Sequence, residues 1–189
     1  LTDFTGAVVV IERDTGRVLA IASSPGFDPN LFDPLNRNNA DLLPDLLNDA
    51  ERPLSSRATQ GQYPLGSVFK VITFSAGLES GLYEPQTTYD CQYDFTELSD
   101  RVLHDWTWDH CQSRVQRGAF CNTSDSLPSG LLTLSEGLMR SCNPWFYHIG
   151  YALFNYNTSW LSETARAFGL GQATGIGQVS ENPGQIPDP

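Results

Sequence analysis

The stretch "GAVVVIERDTGRVLAIASS" constrains the fold first. Two runs of β-branched and apolar residues, 8–11 and 18–21, flank "RDTGR", where Asp14 and Gly16 supply turn chemistry. The pattern predicts a β-hairpin and is the clearest strand signal in the chain. Two strands alone make a marginal sheet. Helices must therefore cover one face of the hairpin, or further strands must complete it.

The rest reads as helix and loop. "SPGFDPNLFDPLNRNNADLLP" is dense in Pro, Gly, Asp and Asn, which predicts a long loop with a short helix over residues 40–47. In "GSVFKVITFSAGL" the apolar residues fall nearly all round a helix, which predicts one buried on most faces. Pro64 and Gly66 precede it, and Gly77 and Gly81 sit near its end, so Ser67 lies at or within one residue of its N-terminus. Residues 84–130 show no clean period and read as loop-rich. Regularity returns with Thr133 and Glu136, a capping box in "TLSEGLMRS". Pro144 sits just inside the next helix start, where its missing N–H costs nothing. "TSWLSETARAFGLG" predicts a further helix, with Thr158 as cap and Gly169 as stop. Two strands among several helices place the chain in the α/β (α+β) class.

A chain of 189 residues suffices for one domain with a real core. Its net charge of −11 argues against a nucleic-acid partner, because such a surface repels phosphates. No apolar run approaches the roughly 18 residues of a membrane span. The chain opens on Leu1 with no leader pattern, and the expectation is a segment of a longer protein. Cys91, Cys111, Cys121 and Cys142 lack the tight pairing of zinc ligands, although His104, His110, Cys111 and Cys121 leave an irregular metal site open. In an oxidising compartment a disulfide is favoured. Cys111 with Cys121 is the first expectation and Cys91 with Cys111 its rival, while Cys142 reads as a small buried residue without a partner.

Chemistry points to the helix at Ser67. Lys70 is the only lysine; every other formal cation is arginine, which cannot give up its proton. A serine hydroxyl is a poor nucleophile without a base. His104, His110 and His148 belong to no nucleophile elbow, and His148, within "WFYHIGYALF", reads as a core or boundary histidine. Lysine can replace histidine if burial lowers its pKa. Residues three apart share a helix face, so Ser67 and Lys70 are neighbours in an apolar setting. The plain alternative is a surface lysine that snorkels outward beside an unrelated serine. A second candidate is "SCN". In an extended turn Ser141 and Asn143 point the same way with Cys142 pointing back, though both residue types also favour helix caps.

Ser67-x-x-Lys70 followed by Ser141-x-Asn143 is the motif order of penicillin-binding proteins and serine β-lactamases. "YPLGSVFKVITFSAGLESG", "TGAVVVIERDTGRVLAIASSPGFDPNLF", "GLLTLSEGLMRSCNPWFYHIG" and "FGLGQATGIGQVSENPGQIP" resemble, in order, stretches of the transpeptidase domain of class B penicillin-binding proteins. The resemblance runs from about residue 6 to 187 and is weakest over 92–128. It implies the penicillin-binding transpeptidase or serine β-lactamase-like fold. That fold is expected here as an incomplete one: an N-terminal hairpin and the helical part, with later strands missing and residues 1–189 forming part of the domain. It also implies that Ser67 is the acylated nucleophile, Lys70 its base, Ser141 a proton relay and Asn143 a ligand of the donor peptide's amide. The implied substrate is a D-alanyl-D-alanine stem peptide of peptidoglycan, with β-lactams acylating the same serine and no cofactor or metal required. The implied location is the extracytoplasmic face of a bacterial membrane, in a membrane-anchored parent working with other cell-wall synthesis proteins.

One departure stands out. The family's third motif, Lys-(Ser/Thr)-Gly, is absent, since Lys70 is the sole lysine. The expectation is a half-built site that is inactive or nearly so by itself. A β-lactamase or β-lactam sensor on the same fold, and a non-catalytic cell-wall scaffold domain, are the alternatives.

Overall fold

The computed structural model describes residues 4–188. Contacts divide the chain into two compact units. One takes in the chain up to Tyr63 together with Ala173–Gly184, and the other takes in Pro64–Gln172 and the residues after Gly184.

In the first unit the predicted hairpin forms. Strand β1 (Gly6–Ile11) pairs antiparallel with β2 (Val18–Ser24), Val9 opposite Ile21, with a register shift between Val10 and Ile11. Among the described residues this sheet has two strands. Its apolar side chains stay open to solvent, with Val8, Ile11 and Leu19 each more than half exposed. Helix α1 (Asn39–Asn48) follows a 3-10 turn at Pro29–Phe32 and buries no residue. Asp28 caps that turn by accepting the N–H of Asn30.

The second unit holds the core. Helix α2 (Lys70–Glu79) continues from a 3-10 turn at Gly66–Phe69. It buries Lys70, Ile72, Thr73, Ala76 and Gly77 and leaves Val71 exposed, as the preceding turn leaves Val68, so one face is buried rather than most of them. The stretch 84–130 is more regular than expected. It holds β3 (Thr88–Cys91), β4 (Asp94–Phe95), β5 (Leu103–His104), α3 (Trp106–Gln116) and the start of β6 (Gly130–Thr133). Strand β3 pairs with β6 and β4 with β5, both antiparallel. Strands of two to four residues are too short to show alternation, and α3 buries only Thr107 and Cys111, too few for an apolar stripe.

Helix α4 (Leu134–Arg140) begins at the predicted capping box of Thr133 and Glu136. Helix α5 (Asn143–Tyr156) has Pro144 in its first turn and Cys142 as cap. Helix α6 (Trp160–Ala167) follows Ser159 rather than Thr158, and Asn157 accepts the N–H of Ser159 through its side chain. Trp145, Ile149 and Leu153 recur every fourth residue of α5, each at most 1% exposed. They pack with Ala76 of α2 and Leu134 of α4, and burying each such side chain contributes roughly 1.5–3 kcal/mol. The Trp160 indole donates to the Ala76 carbonyl at 3.0 Å and ties α6 to α2. No helix among the described residues is long and apolar enough to cross a membrane.

The cysteines settle differently from the sequence reading. Cys111 and Cys121 are bonded as expected, which removes both thiolates from the irregular metal site with His104 and His110. Cys91 pairs with Cys142, not with Cys111, so Cys142 is partnered after all. The two are 51 residues apart in sequence, and their bond depends on β3 lying beside the α4–α5 connection, which no local pattern encodes.

Candidate active site

The structure brings Ser67, Lys70, Ser141 and Asn143 together. Ser67 lies in the 3-10 turn, and Lys70 opens α2 one turn later. The turn is entered through Gly66 at φ +56°, a left-handed conformation that a side chain would strain. Ser141 ends α4 at φ 54°, ψ 36°, left-handed where most non-glycine residues are not. The pair Ser141 and Asn143 does converge, but by another route than an extended turn. Ser141 is left-handed, Cys142 extended, and Asn143 already helical.

Lys70 is the hub. Its ammonium donates to the Ser141 carbonyl at 2.7 Å, to Ser141 Oγ at 3.0 Å and to Asn143 Oδ1 at 2.5 Å. The Ser141 hydroxyl in turn donates to Ser67 Oγ at 3.1 Å. Hydroxyls rotate, so this chain of contacts links the Ser67 proton to the Lys70 amine through Ser141. Lys70 is 8% exposed and lies 5.5 Å from the Phe146 ring centroid. Burial lowers its pKa from 10.5 to about 8, against an opposing pull from the Asp105 carboxylate.

Sequence reasoning passed over Asp105. It is fully buried and caps α3. One carboxylate oxygen accepts the Thr107 N–H at 3.3 Å and the Thr107 hydroxyl at 2.6 Å. The other accepts the Asn143 N–H at 2.7 Å. An Asp just before "WTWDHC" was a legible cap signal; its tertiary bond to Asn143 was not. The Asn143 side-chain amide also donates to the His104 carbonyl at 3.4 Å.

The histidines face carboxylates elsewhere. His148 Nδ1 lies 2.8 Å from Glu97, His104 Nδ1 2.7 Å from Asp94, and His110 Nδ1 3.4 Å from Asp125. His148 packs against Tyr89 and Trp145 as a boundary residue. Cys91, Asp105 and Cys142 offer ligand atoms within 4.8 Å of one another, yet both sulfurs are used by the disulfide. What remains is a serine, a second hydroxyl and a buried amine in one hydrogen-bonded series, an arrangement that can support nucleophilic chemistry at a serine.

Comparison with known proteins agrees with that frame. The model of the penicillin binding protein transpeptidase domain matches residues 6–189, and the chain belongs to that family. The peptidoglycan D,D-transpeptidase MrdA of Escherichia coli K12 is 33% identical over 184 residues, 96% of this chain and 25% of its own length. Among solved structures, a ceftriaxone acyl-enzyme complex of penicillin-binding protein A from M. tuberculosis aligns with a TM-score of 0.68 at 32% identity, over 89% of this chain and 34% of that one. A chain from a peptidoglycan synthase complex that coordinates polymerization and crosslinking aligns with a TM-score of 0.74 at 35% identity, over 97% of this chain and 28% of that one. The chain spans about a quarter of the length of the curated MrdA relatives it matches, and its fold is that of the penicillin-binding transpeptidases.

Proposed function

We propose that this chain is part of the transpeptidase domain of a serine-type peptidoglycan D,D-transpeptidase, and that Ser67 is acylated by both stem peptide and β-lactams. The observation that carries this reading is the hydrogen-bonded series Ser67, Ser141, Lys70, with the amine buried and its pKa lowered to about 8.

The roles follow from position. Neutral Lys70 draws the Ser67 proton through the Ser141 hydroxyl. Ser67 Oγ attacks the carbonyl carbon of the penultimate D-alanine, and the bond to the terminal D-alanine breaks. Ser141 returns the proton to the departing amine. The acyl-serine ester then passes to an acceptor amine and frees Ser67. Asn143 binds the donor peptide's amide once substrate displaces its contact with Lys70. With a penicillin the ring amide opens instead, and the leaving nitrogen stays tethered within the adduct.

The ceftriaxone acyl-enzyme of the M. tuberculosis relative supports the β-lactam reaction, and the peptidoglycan synthase complex supports work alongside other cell-wall synthesis proteins. The site of action is outside the cytoplasmic membrane, in a membrane-anchored whole protein. These 189 residues hold no Lys-(Ser/Thr)-Gly. In the family that motif completes the oxyanion hole, where one donor is worth about 2.7–4 kcal/mol. The segment by itself therefore acylates far more slowly than the whole protein.

Intact-mass analysis of the whole protein after exposure to a penicillin tests the reading. A stable adduct that Ser67→Ala abolishes is expected. No adduct, or one that survives the substitution, refutes the assignment, and rapid release of hydrolysed drug identifies a β-lactamase.

A further inference from the structure

Asp105 is a fully buried carboxylate that the acyl-transfer steps do not use. Its two oxygens serve two helix starts. One holds Thr107 at the head of α3, and the other takes the N–H of Asn143 at the head of α5. The adjacent His104 carbonyl receives the Asn143 side chain. Residues 104–105 thus hold Asn143 by both backbone and side chain, and Asn143 is itself a partner of the Lys70 ammonium.

Other charges near the hub are engaged elsewhere. Arg140 at the end of α4 turns to Ser124 and Ser129, Glu136 closes its own capping box, and His148 of α5 faces Glu97. The groups that meet Lys70 from the α4–α5 connection, Ser141 and Asn143, are neutral. Among the described residues, Asp105 is the carboxylate that opposes the lowering of the Lys70 pKa.

We infer that Asp105 is a positioning residue for the acylation site, fixing Asn143 through the start of α5 and setting the electrostatic field in which Lys70 works. The inference rests on the acyl-transfer reading. The first contribution holds the amide where the donor peptide docks. The second favours the charged ammonium, so the carboxylate opposes the loss of the proton that burial promotes.

The test is the pH profile of β-lactam acylation in the whole protein, read as adduct formation at Ser67. Asp105→Asn keeps an oxygen acceptor and removes the charge, and the acid limb is expected to move down by about one pH unit. Thr107→Val keeps the charge but removes a hydroxyl donor that partly offsets it, and the limb is expected to move up. A purely structural role lowers the rate without moving either limb in these opposite senses. If Asp105→Asn does not fold, the Thr107→Val profile decides alone. Unmoved limbs with normal wild-type acylation overturn the inference, whereas a wild-type protein that forms no adduct at Ser67 overturns the acyl-transfer reading beneath it.

Discussion

The hydroxyl of Ser141 lies 3.1 Å from that of Ser67, although 74 residues separate them in the chain. Ser141 reaches that point from the left-handed end of α4, and Ser67 from the turn that leads into α2. Lys70 donates to the same Ser141 hydroxyl at 3.0 Å, so Ser141 bridges Ser67 and Lys70.

Ser141→Ala should therefore break the proton route while leaving Lys70 its contacts with the residue 141 carbonyl and with Asn143. Acylation by a penicillin is expected to slow by about 10²- to 10⁴-fold, the usual worth of a positioned proton-transfer group. Stopped-flow acylation rates on a variant with an unchanged melting temperature measure this. A rate equal to that of the unaltered protein would show that the proton leaves Ser67 by another path.

Acylation should rise with pH through about 8, where Lys70 loses its proton. With a pKa near 8 about one amine in ten is neutral at pH 7, against roughly one in three thousand at the unperturbed value. The folding consequence has a definite sign. The unfolded chain holds the Lys70 proton up to its ordinary value of 10.5, whereas the folded chain releases it near 8. Burial of the ammonium opposes folding below about pH 8, and this opposition fades as the pH climbs toward 10.5. A rate profile whose rising limb centres near pH 10 would contradict the lowered pKa.

The two disulfides should differ in consequence. Cys91–Cys142 closes 51 residues and Cys111–Cys121 only 10, which corresponds to about 4 and 2.7 kcal/mol of unfolded-chain entropy. Cys142 also sits between Ser141 and Asn143. Replacing Cys91 and Cys142 with alanine is expected to lower the melting temperature more than replacing Cys111 and Cys121, and to slow acylation as well. Equal losses from both double variants would disprove this ranking.

Gly137→Ala should be poorly tolerated. A Cβ at residue 137 would run into Cδ1 of the buried Trp145 indole. Overpacking of this kind costs about 1–3 kcal/mol. It acts one turn before Ser141, so denaturant melts and acylation rates should fall together. A variant as stable as the parent would mean that α4 and α5 can separate without harm.

Much was written locally. The hairpin, the capping box at Thr133 and the helix start at Pro144 follow from neighbouring residues, because turn chemistry and caps act over a few positions. The lone lysine three residues after Ser67 also marked the candidate site without any fold, since arginine cannot give up its proton. The short strands of 88–104 and helix α3 escaped notice because too few of their residues are buried to leave a period. The partners across the chain belong to tertiary structure alone. Lys70 with Asn143, Cys91 with Cys142 and Asp105 with Asn143 each join residues dozens of positions apart. A sequence states which groups can bond, but distance between them is fixed only when α2, β3, α4 and α5 pack around Trp145 and its neighbours. The same packing lowers the pKa of Lys70, because burial removes the water that stabilises the charged ammonium.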